Sequence, residues 1–186
     1  VQPMCMATRA TWLTGQTPRA HRVRCNGIPL DSRIPTMTEA LRLAGYRTHC
    51  IGKIHVNPWM PHKDFDEKKL RPECWPEAIP LWRDGKIKSL PSPYYGFESA
   101  ESMIGKKYGD YRTWRDQREP RAEELYRNPS ENYQNVEMTP DATWKSSLPG
   151  ELHPTGWAAE CAEKFIASAG AAGHPFFLWC SIPDPH

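Results

Sequence analysis

The sequence lacks the features of a membrane span and of a nucleic-acid binder. It contains no run of about 18 apolar residues, so no transmembrane helix is expected. Neither sign of charge dominates, with 24 Lys and Arg against 22 Asp and Glu. A nucleic-acid surface needs a basic excess on one face, and this balance offers none. No CxxC pair occurs among Cys5, Cys25, Cys50, Cys74, Cys161 and Cys180, which argues against a zinc ribbon or a thioredoxin-type site. The wide spacing does not exclude disulfides. Cys50 and Cys180 sit in apolar strand-like runs and Cys161 in a helix-like one, where a free cysteine acts as a small hydrophobe. No charged segment followed by an apolar one opens the chain, so no signal peptide is visible. The chain starts at Val1 and stops at Pro185-His186, directly after a strand-like run, and is expected to be a piece of a longer chain cut at both ends.

What is present fits one domain. A length of 186 residues allows a real core but not comfortably two domains. The hydrophobic share is low, at 39 %, yet 8 tryptophans and 19 prolines indicate long ordered loops, because tryptophan is rare in disordered chains.

The N-terminal stretch is the most informative. Residues 7–14 read as a short helix stopped by Gly15, which puts Cys5 at or just before the helix N-terminus. Free N–H groups and the helix dipole favour an anion there. Arg9 lies four residues on and can share the face of Cys5. Residues 16–34 read as a loop with a turn at Asn26-Gly27. Thr36-Met37-Thr38-Glu39 is a capping box, with Met37, Ala40, Leu41 and Ala44 at helical spacing and Gly45 as the stop. Residues 46–51 then read as a strand, so helix, glycine and strand follow one another as in a layered α/β sheet.

Ligands collect at the carboxyl ends of strands in such sheets, and Lys53 and His55 stand at this one. Taken singly, each reads as readily as a solvated lysine or a loop histidine. Residues 56–150 carry most of the prolines and scattered aromatics. They read as a loop-rich excursion with one helix near residues 108–118, serving either as a lid or binding surface or as surface packing. Thr155 is the expected N-cap of a helix running to about residue 169, with Trp157, Cys161, Phe165 and Ala169 on one face. Residues 175–182 form a nearly continuous apolar run, as in a strand buried on both faces of a parallel sheet. His186 follows it.

Three separated blocks resemble the sulfatase family. Cys5-Met6-Ala7-Thr8-Arg9 with Leu13-Thr14-Gly15 is similar to the first signature of that family, C-x-[PA]-x-R followed by L-T-G. Gly52-Lys53-Ile54-His55 is similar to the G-K-x-H end of the second. The strand before Pro185-His186 resembles a later family strand with its P-H ending. The resemblance covers roughly residues 3–55 and 151–186. Met6 and Ile54 depart mildly from the pattern.

The resemblance implies an alkaline-phosphatase-like α/β/α sandwich with a mostly parallel sheet, incomplete at both ends. It implies hydrolysis of sulfate esters. Cys5 would be oxidised by a maturation enzyme to Cα-formylglycine, whose hydrated form attacks sulfur and then expels sulfate. Arg9 would stabilise that group and its metal environment. Lys53 and His186 would hold the sulfate oxygens, and His55 would take a proton from the hydrated aldehyde. The metal would be Ca²⁺ on hard oxygen ligands. Residue 5 would be one ligand, with the others outside this chain, so the isolated piece is expected to be inactive.

A sulfated small molecule or sulfated carbohydrate is the expected substrate, with Trp59, His62 and His153 as candidate contacts. A periplasmic or secreted location follows from family habit alone. Two alternatives remain on the same scaffold, a phosphonate or phosphate ester hydrolase and a non-catalytic binding protein. A redox or metal-binding cysteine protein fits the wide cysteine spacing poorly.

Overall fold

The computed structural model describes residues 3–105, 107–127 and 148–183. Its centre is a four-stranded sheet in the order β3-β2-β1-β4. The strands are β1 (Arg47–Gly52), β2 (Ser99–Ile104), β3 (Tyr108–Gly109) and β4 (Phe176–Ser181). β1 runs parallel to β2 and to β4, with Gly52 opposite Ser102 and Ser181, and β3 returns antiparallel to β2. This is the mixed, mostly parallel α/β arrangement that the resemblance implies.

Side chains alternate across β1, so each face takes a different layer. Cys50, with Phe177 and Trp179 of β4, packs against α1 (Cys5–Thr14) through Met6, Ala7, Ala10 and Leu13. Burial of Met6 and Leu13 contributes about 1.5–3 kcal/mol each. On the other face Ile51, Met103 and Leu178 pack against α7 (Pro154–Ala172) and α5 (Asp110–Arg118). Trp157, Cys161, Phe165 and Ala169 are all buried, as their spacing predicts. The helix starts earlier than Thr155, however. His153 is the N-cap and Pro154 the first helical residue, where its fixed φ suits the helix and its missing N–H costs nothing.

Two other expectations change. In α3 (Met37–Leu43) the Glu39 N–H donates to Thr36 Oγ1 at 3.1 Å, but the Glu39 carboxylate turns to Arg42 at 2.7 Å instead of closing the box. The buried residue of α3 is Thr38 and not the apolar set, because Thr36 and Thr38 both donate to the Tyr95 carbonyl and draw that side inward. The last strand, β4, lies at the edge of the described sheet. Phe176 and Cys180 are consequently exposed rather than buried on both faces.

Residues 56–150 supply more than loop. They give the sheet β2 and β3, and they contain α4 (Ile79–Arg83), α5 and α6 (Ala122–Arg127). α2 (Pro18–His21) lies where a loop is expected, begun by Pro18 at its first position. All six cysteines are free thiols. Among the described residues no helix is long and apolar enough to cross a membrane.

Candidate active site

Arg9 of α1 reaches the carboxyl end of β1, and Cys5 at the helix start lies close enough to act on the Arg9 charge. Cys5 is the first residue of α1 and is partly exposed, while Met6 and Ala7 behind it are fully buried. Asn26 fixes this end of the helix, its Oδ1 accepting the Met6 N–H at 3.1 Å. Asn26 thus satisfies a helix-end donor from 20 residues away. Sequence reading marks Asn26 as a turn residue, in a stretch that resembles the family's loop after the first motif, and not as a partner of the helix end.

Arg9 joins three elements. Its Nη1 donates to the Lys53 carbonyl oxygen at 2.6 Å and to Ser181 Oγ at 2.8 Å, tying α1 to the ends of β1 and β4. Burial lowers the Arg9 pKa, and nearby Cys50, Cys5 and Glu77 oppose that shift. A guanidinium stays charged under such opposing influences. Ser181 also accepts the Lys53 N–H through its carbonyl, at 3.0 Å. Nothing in the sequence marks Ser181 as part of this junction.

Gly52 permits the close approach. Its φ is +90°, and a Cβ there would lie 2.2 Å from the Ser181 carbonyl oxygen. Beyond it the chain turns inward, so Lys53 is 2 % and His55 6 % exposed. His55 has a φ of +53°, a left-handed conformation that is costly for a residue with a Cβ. Lys53 and His55 converge on one ring. The Lys53 ammonium lies 4.7 Å from the Trp59 ring centroid, and the His55 imidazole stacks on the same indole at 4.0 Å and 23°. Both cation–π and stacking contacts hold such groups in place.

The helix is also clamped from below. The Val23 N–H donates to His21 Nδ1 at 3.1 Å, so His21 Nε2 carries the proton toward Thr11 Oγ1 at 3.0 Å. Burial holds the His21 pKa below 6.5. The folded state therefore favours the neutral ring, and its contribution to stability is complete above pH 6.5. That contribution is lost as pH falls through the lowered folded value, because protonated Nδ1 cannot accept from Val23. We expect the difference in urea midpoint between wild type and His21→Gln, in the full-length protein, to shrink as the pH is lowered from 7.5 to 5. A pH-independent difference would show that His21 acts by shape alone.

Of the residues singled out from sequence, Cys5, Arg9, Lys53 and His55 stand at this junction, and His186 lies outside the described residues. Trp59 lies at the site as the ring beneath Lys53 and His55. His62 is at the surface beside Asp64. His153 caps α7 and sits 3.2 Å from the Leu148 carbonyl oxygen, a packing position. Among the described residues no group of three or more His, Cys, Asp or Glu is placed to hold a metal ion. The described side chains thus do not by themselves fit Ca²⁺.

Comparison with known proteins identifies the family. The sequence model of the Sulfatase family matches residues 1–186. A choline-sulfatase of Rhizobium meliloti (strain 1021) is 42 % identical over 67 residues, covering 36 % of this chain and 13 % of the relative. An arylsulfatase of Clostridium perfringens (strain 13 / Type A) is 28 % identical over an alignment of 189 positions, covering 99 % of this chain and 34 % of the relative. Among solved structures, the phosphonate monoester hydrolase SpPMH from Silicibacter pomeroyi superposes with a TM-score of 0.63 at 21 % identity, covering 100 % of this chain and 33 % of its own. The phosphonate monoester hydrolase of Agrobacterium radiobacter gives 0.58 at 22 %, covering 97 % and 31 %. These structures share the alkaline-phosphatase-like fold, and the chain spans about a third of the length of such relatives. With its cysteine, arginine, lysine and histidine gathered at one strand end, and with the family match over its whole length, the chain belongs to the sulfatase family.

Proposed function

We propose that the protein containing this chain hydrolyses sulfate esters, with residue 5 in its Cα-formylglycine form as the nucleophile. The observation that carries this reading is the tie of Arg9 from the Cys5 helix to the carbonyl of Lys53. It holds the nucleophile position against a strand end that presents a buried ammonium and a buried imidazole. Carried as the hydrated aldehyde, residue 5 supplies one hydroxyl to attack sulfur and a second whose deprotonation expels sulfate. The sum is ester plus water giving alcohol plus sulfate.

Lys53, desolvated against Trp59, faces the sulfate oxygens as negative charge grows on them. A buried charge acts more strongly than a solvated one because less water screens it. His55 accepts the proton of the second hydroxyl. Its ring stacks on Trp59 at 4.0 Å and 23°, which fixes the imidazole plane. His186 supplies a further contact to sulfate by the family pattern. A divalent metal such as Ca²⁺ would be held by the Cys5-derived group together with ligands beyond the described residues. The proposed substrate is a sulfated small molecule or carbohydrate.

The test uses the full-length protein, co-expressed with a formylglycine-forming maturation enzyme. Turnover of an aryl sulfate is compared with that of the matched aryl phosphonate, and the peptide containing Cys5 is weighed. We expect an aldehyde mass at residue 5 and preference for the sulfate. Preference for the phosphonate would move the assignment to a phosphonate hydrolase. An unmodified cysteine with no turnover of either ester would make the protein a non-catalytic relative.

A further inference from the structure

Glu77 is fully buried, yet it belongs to none of the motifs that mark the site. Its Oε1 accepts from the Val56 and Asn57 backbone N–H groups, each at 3.0 Å, and from the Tyr94 hydroxyl at 2.9 Å. Its Oε2 accepts from Trp59 Nε1 at 3.2 Å. A carboxylate removed from water needs this many donors to be tolerated. Where the donors come from is the informative part. Val56 and Asn57 follow His55 directly. Trp59 is the ring that carries both the Lys53 ammonium and the His55 imidazole. One buried side chain therefore holds the backbone leaving a left-handed histidine and also the plate beneath both candidate catalytic groups. The main chain of Trp59 is fixed as well, its carbonyl accepting the Ile79 N–H at 2.7 Å.

We propose that Glu77 is a positioning residue for catalysis, acting through Trp59 to set the Lys53 ammonium and the His55 imidazole. The inference rests on the sulfate-ester reading of the site. Glu77 touches no reacting atom. It works by limiting motion. Lysine has a long, freely rotating stem, and a misplaced donor loses most of its value in a transition state. The Trp59 indole restricts the lysine end and the histidine plane together, and the Glu77 bond to Nε1 stops that indole from turning.

Glu77→Gln separates this role from simple packing. The glutamine oxygen can keep the bonds from Val56, Asn57 and Tyr94. Its amide nitrogen then faces Trp59 Nε1, donor against donor. Trp59→Phe keeps an aromatic plate and removes the donor. In the mature full-length protein, kcat and KM on an aryl sulfate are measured for each variant and for the double variant, with Tm in parallel. We expect Glu77→Gln to lower kcat by about 10- to 100-fold with KM within about threefold. The double variant is expected to be no slower than the slower single variant, because both changes cut one connection.

A Glu77→Gln protein with lowered Tm but kcat within about twofold of wild type overturns the inference. So does multiplication of the two losses in the double variant. If Glu77→Gln does not fold, Trp59→Phe decides, and wild-type kcat in that variant overturns the inference too. A wild type that turns over neither the sulfate nor the phosphonate ester fails at an earlier step. It removes the reading of the site and this inference together.

Discussion

Cys5→Ser in the full-length protein is expected to lose turnover by on the order of 10³-fold or more while keeping the fold. Serine fits the position. Residue 5 is the first of α1, only partly buried, and the residues that pack the helix are Met6, Ala7, Ala10 and Leu13. The Met6 N–H to Asn26 bond does not involve the side chain of residue 5. Arg9, Lys53 and His55 are untouched by the change, so binding of the sulfate group should persist. What serine lacks is the second hydroxyl. Its single oxygen can attack sulfur once, but it has no neighbouring O–H whose proton could be removed to expel sulfate. The variant should therefore react at most once per site and then stop. The measurement is a pre-steady-state trace combined with the intact mass of the peptide. A stalled sulfo adduct on residue 5, with no steady state, is the expected outcome. Steady turnover above about a tenth of wild type would mean that residue 5 works as a plain nucleophile, and the aldehyde chemistry would be wrong.

Gly52→Ala is the largest expected loss of stability, about 3 kcal/mol or more. Two causes act together. The backbone there has a φ of +90°, where a Cβ costs roughly 1–2 kcal/mol. The added carbon would also lie 2.2 Å from the Ser181 carbonyl oxygen. That oxygen is main chain and already accepts the Lys53 N–H, so it cannot swing aside without breaking the β1–β4 junction. If β4 shifts instead, Ser181 Oγ leaves Arg9, and the tie from α1 to the strand end goes with it. Activity should fall further than stability alone would require. Chemical denaturation monitored by tryptophan fluorescence gives the first quantity, and turnover of the folded fraction gives the second. A variant within about 1 kcal/mol of wild type would show that β4 can retreat freely.

Sequence reading works best here where one residue reports on its own local geometry. Gly15 stops its helix in a left-handed conformation, and Trp157, Cys161, Phe165 and Ala169 share a buried face because helical spacing alone puts them there. β2 was not legible. Ser99-Ala100-Glu101-Ser102-Met103-Ile104 has neither a clear alternation nor β-branched enrichment, and its place in the sheet comes from pairing with β1. The apolar spacing of α3 misleads for a related reason. Two threonine hydroxyls bonded to Tyr95 decide which side turns inward, and a hydropathy pattern does not contain Tyr95. Cys5, Arg9, Lys53 and His55 were legible because they stand in stretches that resemble the sulfatase signatures. Their supports were not. Asn26, Glu77 and Ser181 reach the site through hydrogen bonds between segments far apart in the chain.

The link between Arg9 and Ser181 also sets an order in time. A ribosome adds about 5–20 residues per second, so roughly 10–35 s separate the synthesis of Cys5 from that of Ser181. During that interval neither Ser181 contact can exist, and β1 has no β4 beside it. Throughout this window Arg9 lacks the Ser181 hydroxyl that it bonds in the folded chain. Once β4 arrives, Arg9 is held by the ends of two strands.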